Sequence, residues 1–146
     1  MFVGNLGAPV SKLAYYYTHS DISDLIEDND IDILLMTETW LKEQGDEAYI
    51  AEMTPSDYVT KSFPRGQRGG GGIALIIRKS LDKHTVVERP FFTSFEAVVA
   101  IFSYVDISLP IICIYRPPTS QANKATTRTF LQEFPITARH CLFKES

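Results

Sequence analysis

What the chain lacks excludes several classes of protein. No apolar run approaches the roughly 18 residues that a membrane-crossing helix needs, so no bilayer-spanning segment is expected. Cysteine is scarce: Cys113 and Cys141 alone cannot make a disulfide framework. Cys113 stands in an apolar run, where a thiol behaves as a small buried hydrophobe, and this points to a reduced, intracellular setting. The opening MFVGNLGAPV has no basic n-region, so no secretory signal is expected. Basic residues are not in excess. With 14 Lys and Arg against 18 Asp and Glu, the net charge of −4 argues against a dedicated nucleic-acid-binding module. It leaves room for an enzyme that holds phosphates through a metal. There is no internal repeat and no interdomain linker, and 146 residues make one domain or part of a larger one.

What is present is enough to build a core. The chain is 45% hydrophobic and 12% aromatic, which rules out disorder by composition. The sharpest pattern is DIDILLMTETW, from Asp30 to Trp40. Its run of branched apolar residues between acids reads as a buried central strand rather than a helix. Where that strand should leave the core stands Glu38, between two threonines. Loops beyond the carboxyl ends of strands are the usual place for ligand chemistry in an open α/β sheet, and a carboxylate there can hold Mg²⁺, which prefers oxygen ligands. A solvated turn residue is the other reading of Glu38.

Upstream, Ser20 offers an N-cap, Asp21 and Asp24 suit the first turn, and Ile22, Leu25 and Ile26 mark one apolar face. A helix is expected from Ser20 to about Asn29. Followed by the buried strand, it would form half of a βαβ unit. Downstream, Tyr58–Phe63 is expected as a short strand after a polar stretch and the turn at Pro55. Next comes PRGQRGGGGIALIIRKS. The run Gly69–Gly72 could present backbone amides to a phosphate, but it has neither the lysine nor the following helix of a phosphate-binding loop. The alternative is a loop entering a core strand at Ile73–Ile77, packed closely as only glycine permits. Arg65, Arg68, Arg78 and Lys79 either face a polyanion or form a solvated basic face. Lys83–Glu88 suggests a further strand, and Phe95–Phe102 with Leu109–Tyr115 suggests an antiparallel hairpin about Asp106. The second of these ends in Tyr115-Arg116-Pro117-Pro118, where the prolines stop the ladder. Ala125–Phe134 is expected as a helix with Phe130, Leu131 and Phe134 on one side, and the final PITARHCLFKES shows no clear period.

Taken together, LIEDNDIDILLMTETWL, RGGGGIALIIRKS, FEAVVAIF and IICIYRPP resemble the endonuclease/exonuclease/phosphatase superfamily. More narrowly, they resemble the apurinic-type endonuclease domain of non-LTR (LINE-type) retrotransposons. The resemblance spans about residues 20–134, with divergent segments at 1–19 and 135–146. It implies an α/β fold: part of a four-layer α/β sandwich with a mixed sheet and flanking helices. It implies metal-dependent hydrolysis of phosphodiester bonds, with Mg²⁺ as cofactor and DNA as partner, in the nucleus or cytoplasm; one carboxylate without the rest of the polar shell is expected to bind Mg²⁺ weakly or not at all. By the same resemblance Glu38 binds the metal, and Tyr115 helps hold the scissile phosphate.

The departures from the family pattern are as informative. An N-x-R-S-like segment is expected near Ser11 and does not occur. Neither G-D-F-N nor S-D-H is found, and His19, His84 and His140 stand in none of the required contexts. The expectation is a truncated nuclease domain, inactive alone for want of a general base and the D-x-N segment. The alternative is a non-catalytic interaction module or degraded remnant. Val98, Ala100, Phe102, Ile112 and Ile114 exceed what two helices can cover, so self-association through an exposed sheet is also expected.

Overall fold

A computed structural model describes residues 2–4, 19–66, 70–117 and 127–142. The chain divides into two units, Met1–Lys83 and His84–Ser146. In the first, β1 (Phe2–Gly4), α1 (His19–Asp28), β2 (Ile33–Thr37), α2 (Glu47–Met53), β3 (Tyr58–Phe63), β4 (Ile73–Arg78) and α3 (Lys79–Asp82) follow one another. Their strands form a four-stranded sheet in the order β1-β2-β4-β3.

The two apolar runs singled out in the sequence are neighbours at the centre of this sheet. β2 and β4 pair antiparallel, Ile33 opposite Ile77 and Thr37 opposite Ile73. Leu34, Ala74, Leu75, Ile76 and Ile77 are all fully buried, as continuous apolar strands require. One face of the sheet, through Leu34, Met36, Tyr58, Ala74 and Ile76, packs with Ile26 of α1 and Met53 of α2, and Ile22, Leu25 and Ile50 close the rim. The apolar stripe read from Ile22, Leu25 and Ile26 therefore faces the core. α1 ends where Asp30 takes a φ of +48° and the Ile31 amide donates back to the Ile26 carbonyl at 3.0 Å. One expectation fails here: β1 and β2 run antiparallel, so α1 does not complete a parallel crossover. α2 has no counterpart in the sequence pattern. It is short, with only Ile50 and Met53 on its apolar side, and it starts after Asp46, whose buried carboxylate accepts from the Lys42 amide at 2.8 Å.

The second unit contains β5 (Thr85–Glu88), β6 (Glu96–Tyr104), β7 (Ile107–Tyr115) and α4 (Thr127–Leu142). The strands form an antiparallel sheet in the order β5-β6-β7, and β6 and β7 make the expected hairpin turning at Val105-Asp106. Pro110 is tolerated in β7 because that strand pairs on one side only. Of the five residues that exceed what two helices can cover, Val98, Ala100 and Phe102 are buried and Ile112 and Ile114 only partly so. Within the hairpin the most exposed apolar groups lie at its turn, with Val105 84% and Ile107 71% exposed, and outside it Phe91 is 89% exposed.

α4 runs past the expected end at Phe134, through Pro135, to Leu142. Proline inside a helix lacks the amide that would bond the carbonyl four residues back, which is why the sequence reads as a stop there. Leu131, expected on the apolar side, is 64% exposed. The face in contact is set by Phe130, edge-on to buried Phe95 at 5.4 Å and stacked with Phe134 at 5.5 Å. Glu133, one turn from Phe130, fastens the helix. Its carboxylate accepts from the amides of Thr93 (3.2 Å) and Ser94 (3.0 Å) and from both their hydroxyls (2.6 and 2.5 Å).

Desolvation alone would raise the Glu133 carboxyl, but these hydrogen bonds outweigh it and hold it below its ordinary value of 4.5. A lowered folded-state pKa stabilises above the unfolded-state value and is lost as pH falls through the folded one. We therefore expect Glu133→Gln to melt lower than the natural chain at pH 7, with the gap closing below about pH 4.5. Glu133→Ala should cost about 1–3 kcal/mol, because it leaves the fully buried Ser94 without its acceptor. Thermal melts of the three proteins across pH test both statements.

Candidate functional site

The site is built from the exit of β2 and the entry to β4. Past Thr37 the backbone does not continue as a strand: Glu38 and Trp40 take left-handed φ values of +58° and +56°. Such values are strained for side chains of this size and need local support. The glycine loop provides it. The Trp40 amide donates to the Gly71 carbonyl at 2.9 Å, and the Thr39 amide to the Gly72 carbonyl at 3.4 Å. In return the Gly71 amide donates to Glu38 Oε2 at 3.0 Å. Glu38 is exposed, and its carboxylate is fixed by backbone on one side.

The glycines are required by space as well as by conformation. A Cβ on Gly72 would stand 2.8 Å from Thr39 Oγ1 and 3.5 Å from the Phe63 carbonyl, and φ there is +86°. Thr39 Oγ1 is itself buried without a hydrogen-bond partner, as tight packing around a missing side chain would leave it. Of the two readings of the glycine run, close packing at the entry to a core strand holds. The Gly71 amide points at a carboxylate and not into an anion cradle. Gly69 lies outside the described residues.

The basic residues nearby do not form a free cationic face. Arg78 Nε bonds Asp32 at 2.9 Å and Nη2 bonds Asp30 at 2.6 Å, while the guanidinium lies 4.9 Å from the Tyr58 ring centroid. Tyr58 in turn donates to the Ile31 carbonyl at 2.7 Å, and burial pushes its phenol above the ordinary value. Lys79 Nζ donates to the Ser56 carbonyl at 2.7 Å. These two cations brace the far end of the sheet, which corrects the polyanion reading for them. Arg65 is half-buried, and Arg68 lies outside the described residues.

Tyr115 stands in the second unit, at the last position of β7, half-buried and directly opposite Glu96 of β6. Glu96 does not stand out in the sequence, where it looks like one polar residue heading an apolar strand. The residue after Tyr115 is structural. Arg116 Nη2 donates to Thr127 Oγ1 at 2.9 Å, and its guanidinium lies 4.9 Å from the Phe130 ring centroid. Arg116 thus ties the end of β7 to α4, Pro117 is buried beside it, and Pro118 lies outside the described residues. Cys113 is buried, and desolvation pushes its thiol up to about 11, so it is inert as a nucleophile at neutral pH. His84 is exposed, and nothing is described of the side chains of His19 and His140.

Among the described residues no three His, Cys, Asp or Glu side chains gather into a metal cage. The donor chemistry at Glu38 fits a single oxygen ligand to a hard divalent cation.

Residues 5–137 match the Endonuclease/Exonuclease/phosphatase family. The chain belongs to that family. Among solved structures, the AP endonuclease LMAP from Leishmania major matches with a TM-score of 0.55 at 17% identity, over 83% of this chain and 41% of that one. The present chain thus spans about two fifths of that protein, and the likeness shows the fold. No curated protein sequence matches the chain. The chain is α/β as expected from the sequence, with two antiparallel sheets and flanking helices; the mixed sheet expected is not found, because every pair of described strands runs antiparallel.

Proposed function

We propose that this chain is an endonuclease domain of the non-LTR (LINE-type) retrotransposon kind, shaped for metal-dependent hydrolysis of DNA phosphodiesters and inactive by itself. The observation that carries it is Glu38, an exposed carboxylate at the end of a buried strand, held in a strained conformation by a backbone amide. The order of LLMTETW, GGGGIALIIR and IICIYRPP supports the retrotransposon form. Glu38 would hold Mg²⁺, which when bound stabilises charge on the phosphoryl oxygens. The Gly71 amide orients the carboxylate for that role. The Tyr115 phenol would hydrogen-bond the scissile phosphate.

Hydrolysis also needs a positioned water and a base to take its proton. Residues 1–146 contain no G-D-F-N and no S-D-H, and the exposed His84 stands beside no aspartate in sequence. Purified chain incubated with supercoiled plasmid and Mg²⁺ should therefore give no nicking above background. Nicking abolished both by EDTA and by Glu38→Ala would overturn the inactivity and establish the enzyme. The role of Glu38 is read separately: Mg²⁺ should strengthen retention of a short oligonucleotide, and Glu38→Ala should remove that effect.

A further inference from the structure

The family takes in enzymes for polynucleotides and phosphatases alike, and a metal carboxylate alone does not tell the two apart. Trp40 does. It is the single tryptophan of the chain, 67% exposed, two residues after Glu38. Its backbone is fixed by the bond to the Gly71 carbonyl, at a φ of +56° that is strained for so large a residue. The six-membered ring rests against Gly70. A Cβ there would lie 3.3 Å from Cη2 and 3.4 Å from Cζ2, so glycine is what lets the indole lie close along the loop. Glu38 and the indole are thus anchored on adjacent residues, the carboxylate on Gly71 and the ring on Gly70, whose Cα atoms are about 3.8 Å apart.

We infer that Trp40 is a stacking platform for a splayed or single-stranded nucleobase, adjacent to the phosphate that Glu38 addresses. This rests on the reading of Glu38 above and adds to it a contact with a base. A rigid, exposed aromatic beside a phosphate site is the arrangement by which bases are held without reading their sequence, because every base has a π-face. The ring is large, partly backed by backbone and open to solvent, so it can accept a base without rearrangement. A substrate with no aromatic group, such as a simple phosphate monoester, gains nothing from it.

Because Trp40 is the only tryptophan, its fluorescence reports the site directly. The full chain is titrated with a short single-stranded oligonucleotide, with the same strand made abasic, and with inorganic phosphate. Saturable quenching by the base-bearing strand alone is expected. In anisotropy measurements with a labelled strand, Trp40→Ala should weaken binding about tenfold, while Trp40→Phe should keep most of the affinity. Far-UV circular dichroism of the variants checks that the exposed substitution leaves the fold intact. Equal quenching by abasic and base-bearing strands, unchanged affinity in Trp40→Ala, or no strand binding at all would overturn the platform. Failure of the Glu38 reading looks different: base-dependent quenching persists while Mg²⁺ and Glu38→Gln leave binding unchanged, and the platform then stands on its own.

Discussion

Replacing Leu34 with alanine is expected to remove about 2–5 kcal/mol from the stability of the first unit. Leu34 is fully buried in β2, opposite Ile76 of β4, in the cluster that α1 and α2 cover. The loss has two parts, the transfer free energy of the missing methyl groups and the cavity that a rigid sheet cannot close. Against a total of about 5–15 kcal/mol for an ordinary domain, it is a large fraction. Urea unfolding should show it as a fall of about 1–2.5 M in the midpoint of that unit's transition, for a slope near 2 kcal/mol/M. Leu131→Ala serves as the comparison. That side chain is 64% exposed, so its removal should change stability by about 0.5 kcal/mol or less. Similar losses in the two variants would mean that β2 is not the centre of the core.

The second large effect is expected at Gly72. An alanine there meets two obstacles at once: the left-handed φ of +86°, and a Cβ placed 2.8 Å from Thr39 Oγ1. The conformational part costs about 1–2 kcal/mol and overpacking about 1–3 more, so a loss of about 2–5 kcal/mol is expected for Gly72→Ala. Gly45 separates the two parts, since its φ is +93° but nothing lies within 4 Å of the added Cβ. Gly45→Ala should cost only the conformational part. Gly72→Ala should also shift the emission of Trp40, because moving Thr39 disturbs the pairing that fixes its backbone, whereas Gly45→Ala should not. Thermal melts and emission spectra of the two variants decide the matter. Equal stability losses with unchanged emission would show that the glycine serves the chain's conformation and not the site.

Much of the site is legible in the sequence because its residues mark changes of pattern. Glu38 is visible as the acid that interrupts an apolar run, and the glycine run as four residues that only special backbone explains. Their meeting is not legible. Nothing in the spacing of Glu38 and Gly71, 33 positions apart, says that one donates a hydrogen bond to the other. Trp40 reads only as the end of a strand, because exposure cannot be seen in a sequence and an aromatic is more often buried. Arg78 shows the reverse error. In sequence it adds to a basic cluster, while in space two acids that precede the central strand, Asp30 and Asp32, hold it.

The sequence by itself determined the two central strands and their burial. Apolar continuity in Ile33–Met36 and Ile73–Ile77 leaves no face for water, and alternation or run length needs no partner to be read. It also determined the family, since the order of motifs along the chain is a property of the chain. Only the tertiary structure decided which strands pair, that β1 and β2 run antiparallel, and that α4 continues through Pro135. The physical reason is the same in each case. Register, the closing of Gly72 on Thr39 and the clasp of Glu133 on Ser94 depend on atoms far apart in the chain, and their energies arise only when the core brings them together.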